Sequence, residues 1–279
     1  MNIIDEEEFI RPKLDVVFKM LMASDEDILR DVLAAFLEIP KKSIDQIVIM
    51  NPNILPTEFD GKQSQLDLKV NVDGKTVDIE IQLCDEGDFP ERSLYYWAKA
   101  YTDDVKRGEK YKELRKTICI NIVDFNLFNC DEPYSSFSLL ENKRREQLTD
   151  KCSIMFMELP KIDAMIDKND RRKLWLQFIK SETKEELDML ERTEVPEIKK
   201  AIVTLHQMTA DERVREEVRM RMKNMLDENT AKENARREGL AEGEAKGRAK
   251  ERADFIAGMR KAGFSEEAIN SVLKGMGII

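Results

Sequence analysis

The sequence predicts an α/β domain over residues 1–161, followed by a charged helical extension. Three observations carry this. Two segments of polar–apolar alternation flank an Asp73-Gly74 turn, an apolar run over Thr117–Phe125 is long enough to lie inside a sheet, and beyond about Asp170 nearly everything has helical composition with thin apolar stripes. The extension reads as a helical region over 162–230, then a charged low-complexity helix and a short terminal helix over 231–279.

Pro12 is placed to open a first helix, with Leu14, Val17, Phe18, Leu21 and Met22 at helical spacing. Ser24 is the expected N-cap of a second, whose apolar side runs from Ile28 to Leu37 and which ends before Pro40. A strand is expected over Ile44–Met50. Gln65–Val72 and Lys75–Leu83 then alternate strictly, and Asp73-Gly74 between them is a two-residue hairpin signal, since such turns need positive φ at both positions. A charged, aromatic helix follows from about Pro90 to Lys106, then the apolar strand. Ser135–Leu140 and Ser153–Leu159 are further strand candidates, and Leu159-Pro160-Lys161 closes the domain. In the low-complexity stretch Gly239, Gly243 and Gly247 recur every four residues, a face for close helix approach and homo-oligomerisation, or else a frayed charged helix.

Composition narrows the chemistry. Of 279 residues 42% are hydrophobic and 37% charged, enough for one sizeable core with more charge than the roughly 25% of an ordinary domain. The N-terminus is acidic where a secretory leader is basic and apolar, and no run of about 18 apolar residues occurs, so a cytoplasmic protein without membrane contact is expected. The four cysteines form no CxxC pair and read as reduced thiols. With His206 the only histidine, histidine-based nucleophilic schemes have one candidate base, and chemistry falls to carboxylates, lysines and a metal. A net charge of −10 counts against a nucleic-acid partner, yet Lys106–Lys116 and Lys143-Arg144-Arg145 are locally basic: a positive strip or a solvated helix face and loop.

In a hairpin closed by Asp73-Gly74, Val72 faces Lys75 and Asp67 falls opposite Glu80, with Gln65 opposite Gln82 and Lys69 opposite Asp78. Directly opposed like charges destabilise a sheet pair. A hard divalent cation between Asp67 and Glu80 resolves the repulsion, as would a nearby base such as Lys69. On the helix after the hairpin, Arg92, Tyr96 and Lys99 share one face suited to phosphates. Leu94, Trp97 and Tyr101 are then expected to face the core, as is Tyr95.

Asp67 followed by Glu80-Ile81-Gln82 resembles the Asp…Glu-x-Lys signature of PD-(D/E)xK nucleases, with Gln82 in the lysine position. More specifically, Pro12–Lys19 (PKLDVVFK), Val77–Gln82 (VDIEIQ), Arg92–Trp97 (RSLYYW) and Glu158–Lys161 (ELPK) together resemble the Rpn family of recombination-promoting nucleases and transposases, over roughly Phe9–Lys161. The resemblance implies a restriction-endonuclease-like core, a mixed central sheet flanked by helices, with magnesium or another divalent cation as cofactor and DNA as substrate. It implies Asp67 and Glu80 as metal ligands and Gln82 as the group that orients water or contacts the scissile phosphate. Asp15 has two readings, a further acidic active-site residue or an acid favoured by its helix dipole. The function implied is metal-dependent DNA endonuclease activity in transposition or recombination. The alternative is a catalytically weak nuclease fold acting as a DNA- or protein-binding scaffold through its helical C-terminal half.

Overall fold

The computed structural model describes residues 9–50, 68–103 and 110–275. Helices α1 (Asp15–Ser24) and α2 (Glu26–Phe36) come first and bury the apolar sides their spacing predicts, including Val17, Phe18, Leu21, Ile28, Val32 and Leu33. The cap of α2 is Asp25, not Ser24. Its carboxylate accepts the N–H groups of Asp27 and Ile28, whereas the Ser24 hydroxyl donates to the Leu21 carbonyl and ends α1. A carboxylate stabilises orphan amides and the helix dipole together, so it prevails over its neighbouring serine.

Six strands form one sheet in the order β1-β2-β3-β4-β6-β5: β1 (Ile47–Ile49), β2 (Leu68–Val72), β3 (Lys75–Gln82), β4 (Thr117–Val123), β5 (Tyr134–Phe137) and β6 (Cys152–Glu158). The β3, β4 and β6 strands are mutually parallel, the remaining pairs antiparallel, so the sheet is mixed. Val72 pairs with Lys75, Lys69 with Asp78 and Leu68 with Ile79, the register the turn predicts. The β1 strand is shorter than the run Ile44–Met50 because Lys41–Ser43 forms a 3-10 turn that ends at Ile44. Every residue of β4 is buried, as its unbroken apolar run requires of a strand covered on both faces.

Helix α3 (Phe89–Asp103) covers one face, and its rotation differs from expectation. Phe89 opens the helix and sits against Phe125 and Phe156, in a core cluster with Cys119, Val123 and Ile154. Counting from that anchor, Ser93, Trp97 and Ala100 face the sheet, and the Trp97 indole N–H donates to the Thr117 carbonyl at 3.0 Å. Leu94 and Tyr95 are therefore 52% and 64% exposed, where a core position was expected for both. Small residues at 93 and 100 let the helix approach the sheet closely, a stripe that hydrophobicity alone does not mark.

The chain divides into two compact units, residues 1–218 and 219–279, rather than at Lys161. The first unit includes α4 (Arg171–Lys180), α5 (Lys184–Glu191) and α6 (Pro196–Ala210), whose thin stripes are fully buried: Leu174, Trp175, Leu176, Phe178, Ile198 and Leu205 have no exposure. At roughly 1.5–3 kcal/mol per buried large apolar side chain, these belong to the core energetically. Polar bonds set their orientation. The Trp175 indole donates to Asp31 of α2 at 2.7 Å, Arg171 bridges Asp31 and Glu197, and Lys41 donates to Glu197 at 2.7 Å. Burial alone would raise the Glu197 pKa, but hydrogen bonds from Lys41 and Arg171 lower it to about 2. The second unit contains most of α7 (Glu212–Lys261) and all of α8 (Glu266–Gly275), joined at Gly263 with φ +88°. Along α7, Glu242–Lys246 and Glu244–Arg248 pair at i,i+4, and a Cβ added at Gly239, Gly243 or Gly247 would meet nothing within 4 Å.

A fragment of residues 1–218 should unfold cooperatively in urea, whereas 1–161 should show no folded baseline because it leaves the α2 face bare. Trp175→Ala should cost about 3–5 kcal/mol in the same measurement. Glu197 has a folded pKa below its ordinary 4.5, so its stabilisation is present above about 4.5 and is lost as pH falls toward 2. Glu197→Gln should flatten the dependence of thermal midpoint on pH in that window.

Candidate active site

The carboxyl ends of β3, β4 and β6 lie side by side, with Gln82, Val123 and Glu158 in register. Open α/β sheets place ligands outside such ends, where no further strand covers the backbone. Glu80 and Gln82 are two residues apart on β3 and share one face, the face that also carries Asn121 and Phe156. Both are half-buried, while Asp78 on the same face is 5% exposed. The cover thins toward the strand end, and access begins at Glu80.

Gln82 is fastened at two points. Its Nε2 donates to the Cys84 carbonyl at 3.0 Å, and its own carbonyl accepts the Asp124 N–H at 2.9 Å. The first bond uses the amide's donor and leaves Oε1 with acceptor capacity. Asp124, the first residue past β4, accepts a hydrogen bond from Lys13 Nζ at 2.7 Å, and the same ammonium donates to Glu182 at 2.6 Å. Burial would lower the Lys13 pKa, but these two bonds raise it overall, and the Lys13 hydrogen bond lowers that of Glu182. The N-terminal segment, the end of β4 and the α4–α5 connection thus meet on one cation. Asp15 lies two residues beyond Lys13 at the start of α1, half-buried, with Oδ1 accepting the Val16 N–H at 2.7 Å.

Arg92, Tyr96 and Lys99 each precede a sheet-facing residue and form one flank of α3, half-buried at Arg92 and Tyr96 and exposed at Lys99. Arg92 lies nearest the strand end; its guanidinium donates to Glu86 at 2.6 Å and stacks over the Phe89 ring at 4.9 Å. Lys69 donates to Asp103 at the far end of α3, at 3.1 Å. Asp67 lies outside the described residues.

One buried carboxylate at this edge is structural. Glu158 has no exposure: Oε1 accepts the Leu127 and Phe128 N–H groups and Oε2 accepts Lys161 at 2.7 Å. A carboxylate so saturated anchors the loop after β4. Among the described residues no three His, Cys, Asp or Glu side chains group as a metal cage. Magnesium does not demand one, since it takes one or two carboxylates and keeps several waters. The oxygen donors Glu80 and Gln82, without thiol or imidazole beside them, fit a hard ion of that kind.

The family model described as PD-(D/E)XK nuclease family transposase matches residues 12–235. The chain belongs to this family. No curated protein and no solved structure matches it. The PD-(D/E)XK transposase match runs from the Lys13 segment through α4–α6, past the Lys161 boundary expected from the sequence. Among the described residues, no helix is long and apolar enough to cross a membrane. Sequence reasoning gave Lys13 and Asp124 no role. Lys13 lies within the quoted PKLDVVFK block, but a lone aspartate after a strand carries no signal.

Lys13→Met should lower stability by about 1.5–3 kcal/mol, the range for hydrogen bonds to charged groups. It should also speed hydrogen exchange at the Asp124 amide. Unchanged exchange there would show that Lys13 does not hold the end of β4.

Proposed function

We propose that the chain is a divalent-metal-dependent DNA endonuclease of the transposase type, with Asp67 and Glu80 as metal ligands. The observation that carries this is Glu80 and Gln82 on one half-open face at the carboxyl end of β3, in a hairpin whose register matches expectation as far as Leu68–Ile79. When bound, magnesium would neutralise phosphate charge and make a nearby water more acidic. The chain's own groups do the rest. Gln82 Oε1 accepts a hydrogen bond from the attacking water and orients it, while Nε2 holds the side chain to Cys84. Asp15 is a further acid at the same edge, and Arg92, Tyr96 and Lys99 meet the DNA backbone along α3.

One observation favours the scaffold reading, with weak or no turnover. Cations at this edge are already engaged by carboxylates, Arg92 by Glu86 and Lys13 by Asp124 and Glu182, so none stands in openly for the missing lysine. A C-terminal homo-oligomer belongs to either reading.

Supercoiled plasmid incubated with the protein and magnesium should be nicked, and chelator should stop it. Asp67→Ala and Glu80→Ala should each lower the rate at least about 100-fold, within the span of removing one electrostatic catalytic group, with thermal midpoints unchanged or raised. A variant as active as the parent and still magnesium-dependent would remove that residue from the site. Gln82→Lys should retain part of the activity; a folded, inactive Gln82→Lys protein would show that the amide oxygen is required.

A further inference from the structure

We infer that the opposite end of the sheet is a second nucleic-acid surface, which grips the phosphate backbone of a duplex away from the candidate active site. It goes beyond the nuclease reading and rests on it only in taking the polyanion to be DNA. The observation is the meeting of two basic segments that are distant in sequence. Residues 110–116 lead into Thr117 at the amino end of β4, and residues 138–151 join the end of β5 to the start of β6, in register with that same end. Lys151 joins the two, its Nζ donating to the Lys112 carbonyl at 2.6 Å and to that of Leu114.

Within the first segment Lys110, Lys112, Arg115 and Lys116 face a single acid, Glu113. In the second, a small hairpin bridged at Leu140–Gln147 presents Lys143, Arg144 and Arg145 at its turn. Its acids are Glu141, Glu146 and Asp150. The Glu141 carboxylate turns inward to accept the Lys143 and Arg144 N–H groups, and Glu146 pairs with Arg144 at 3.3 Å. Among the described residues, no ion pair engages Lys110, Lys112, Lys116, Lys143 or Arg145. Four of these five are exposed, Lys116 is half-buried, and Tyr111 stands among them 83% exposed.

A chain of net charge −10 repels a polyanion over most of its surface, so a local basic end decides where one docks. The lysines are point charges, suited to phosphates along a backbone rather than to one bidentate partner. Leu139, Leu140 and Leu148 are exposed beside them, and make an acidic protein the rival occupant. The seven residues of β4 separate this end from Asp124 by about 20 Å at a strand rise of roughly 3.3 Å per residue. A DNA segment held here is therefore not the segment at Gln82, and one chain can engage two.

The test uses the full-length Glu80→Ala protein in chelator, so that cleavage is absent, and measures anisotropy of a labelled duplex against salt. Lys110→Glu/Lys112→Glu and Lys143→Glu/Arg145→Glu should each weaken binding at least about tenfold and lower the log–log salt slope by about 1–2. Lys168→Glu/Arg192→Glu, an equal change of net charge elsewhere, should leave both unchanged. Two donor- and acceptor-labelled duplexes should show energy transfer with the parent and lose it with either basic-face variant. Two variants on separate exposed segments, each checked by circular dichroism, guard against misfolding. Parental affinity and slope in both variants would overturn the inference, as would loss of binding to a polyglutamate peptide with duplex binding intact. Duplex binding at this face by a parent protein that never cleaves would sustain it while removing the nuclease reading.

Discussion

The turn at Asp73-Gly74 sets the β2–β3 register, and a slip of one residue would send Glu80 and Gln82 to the opposite face. Its backbone has positive φ at both positions, +49° and +78°, as a type I′ turn requires. Three further bonds hold it in place. The Asp73 carboxylate accepts the Asp45 and Gln46 N–H groups, and Asn71 Oδ1 accepts the Gly74 N–H. The approach to β1 and the β2–β3 hairpin are thus fastened at one residue, so β3 enters the parallel part of the sheet with its phase already chosen. Pairing with β4 then aligns Gln82 with Val123, and β6 brings Glu158 to the same edge.

That alignment explains why carboxylates on neighbouring strand ends differ in role. Glu158 lies where the loop after β4 folds back, and its oxygens are occupied by two amides and an ammonium. Glu80 lies on the face where α3 gives way to the connection beginning at Leu83, and it keeps solvent access. A saturated buried acid holds a backbone; a half-open one beside an amide can exchange partners. The difference arises from what covers each strand end, not from the residue type.

Local rules were sufficient for the hairpin, the buried strand Thr117–Val123 and the helical faces of α1 and α2, because alternation, turn chemistry and periodicity act within a few residues. They failed where packing decides. On α3 the sheet-facing stripe contains Ser93 and Ala100, which sequence does not mark as core, and Tyr95 was assigned inward on hydrophobicity alone. The boundary near Lys161 failed similarly: the stripes at Leu174, Phe178, Ile198 and Leu205 are thin, but α2 offers them a matching apolar face and Asp31 a buried acceptor. Of the candidate site, Glu80 and Gln82 were legible from register. The Lys13–Asp124–Glu182 junction was not, since its members lie 111 and 169 residues apart and no local pattern links them.

Electrostatics ties these parts together. A site that gathers carboxylates for a cation repels a phosphodiester until the cation is present, and Arg92 and Lys13 add little attraction because each already serves a carboxylate. Most of the attraction for a polyanion must then come from another surface. On an acidic chain that requires bases concentrated in one place, with neighbouring acids withdrawn from competition. The amino end of the parallel strands has that arrangement: Glu141 is turned into its own hairpin, and Lys151 holds the two basic segments together through backbone carbonyls. Separating attraction from chemistry by the length of a strand lets the carboxylate end keep the charge its metal needs, while duplex affinity is set at the other end.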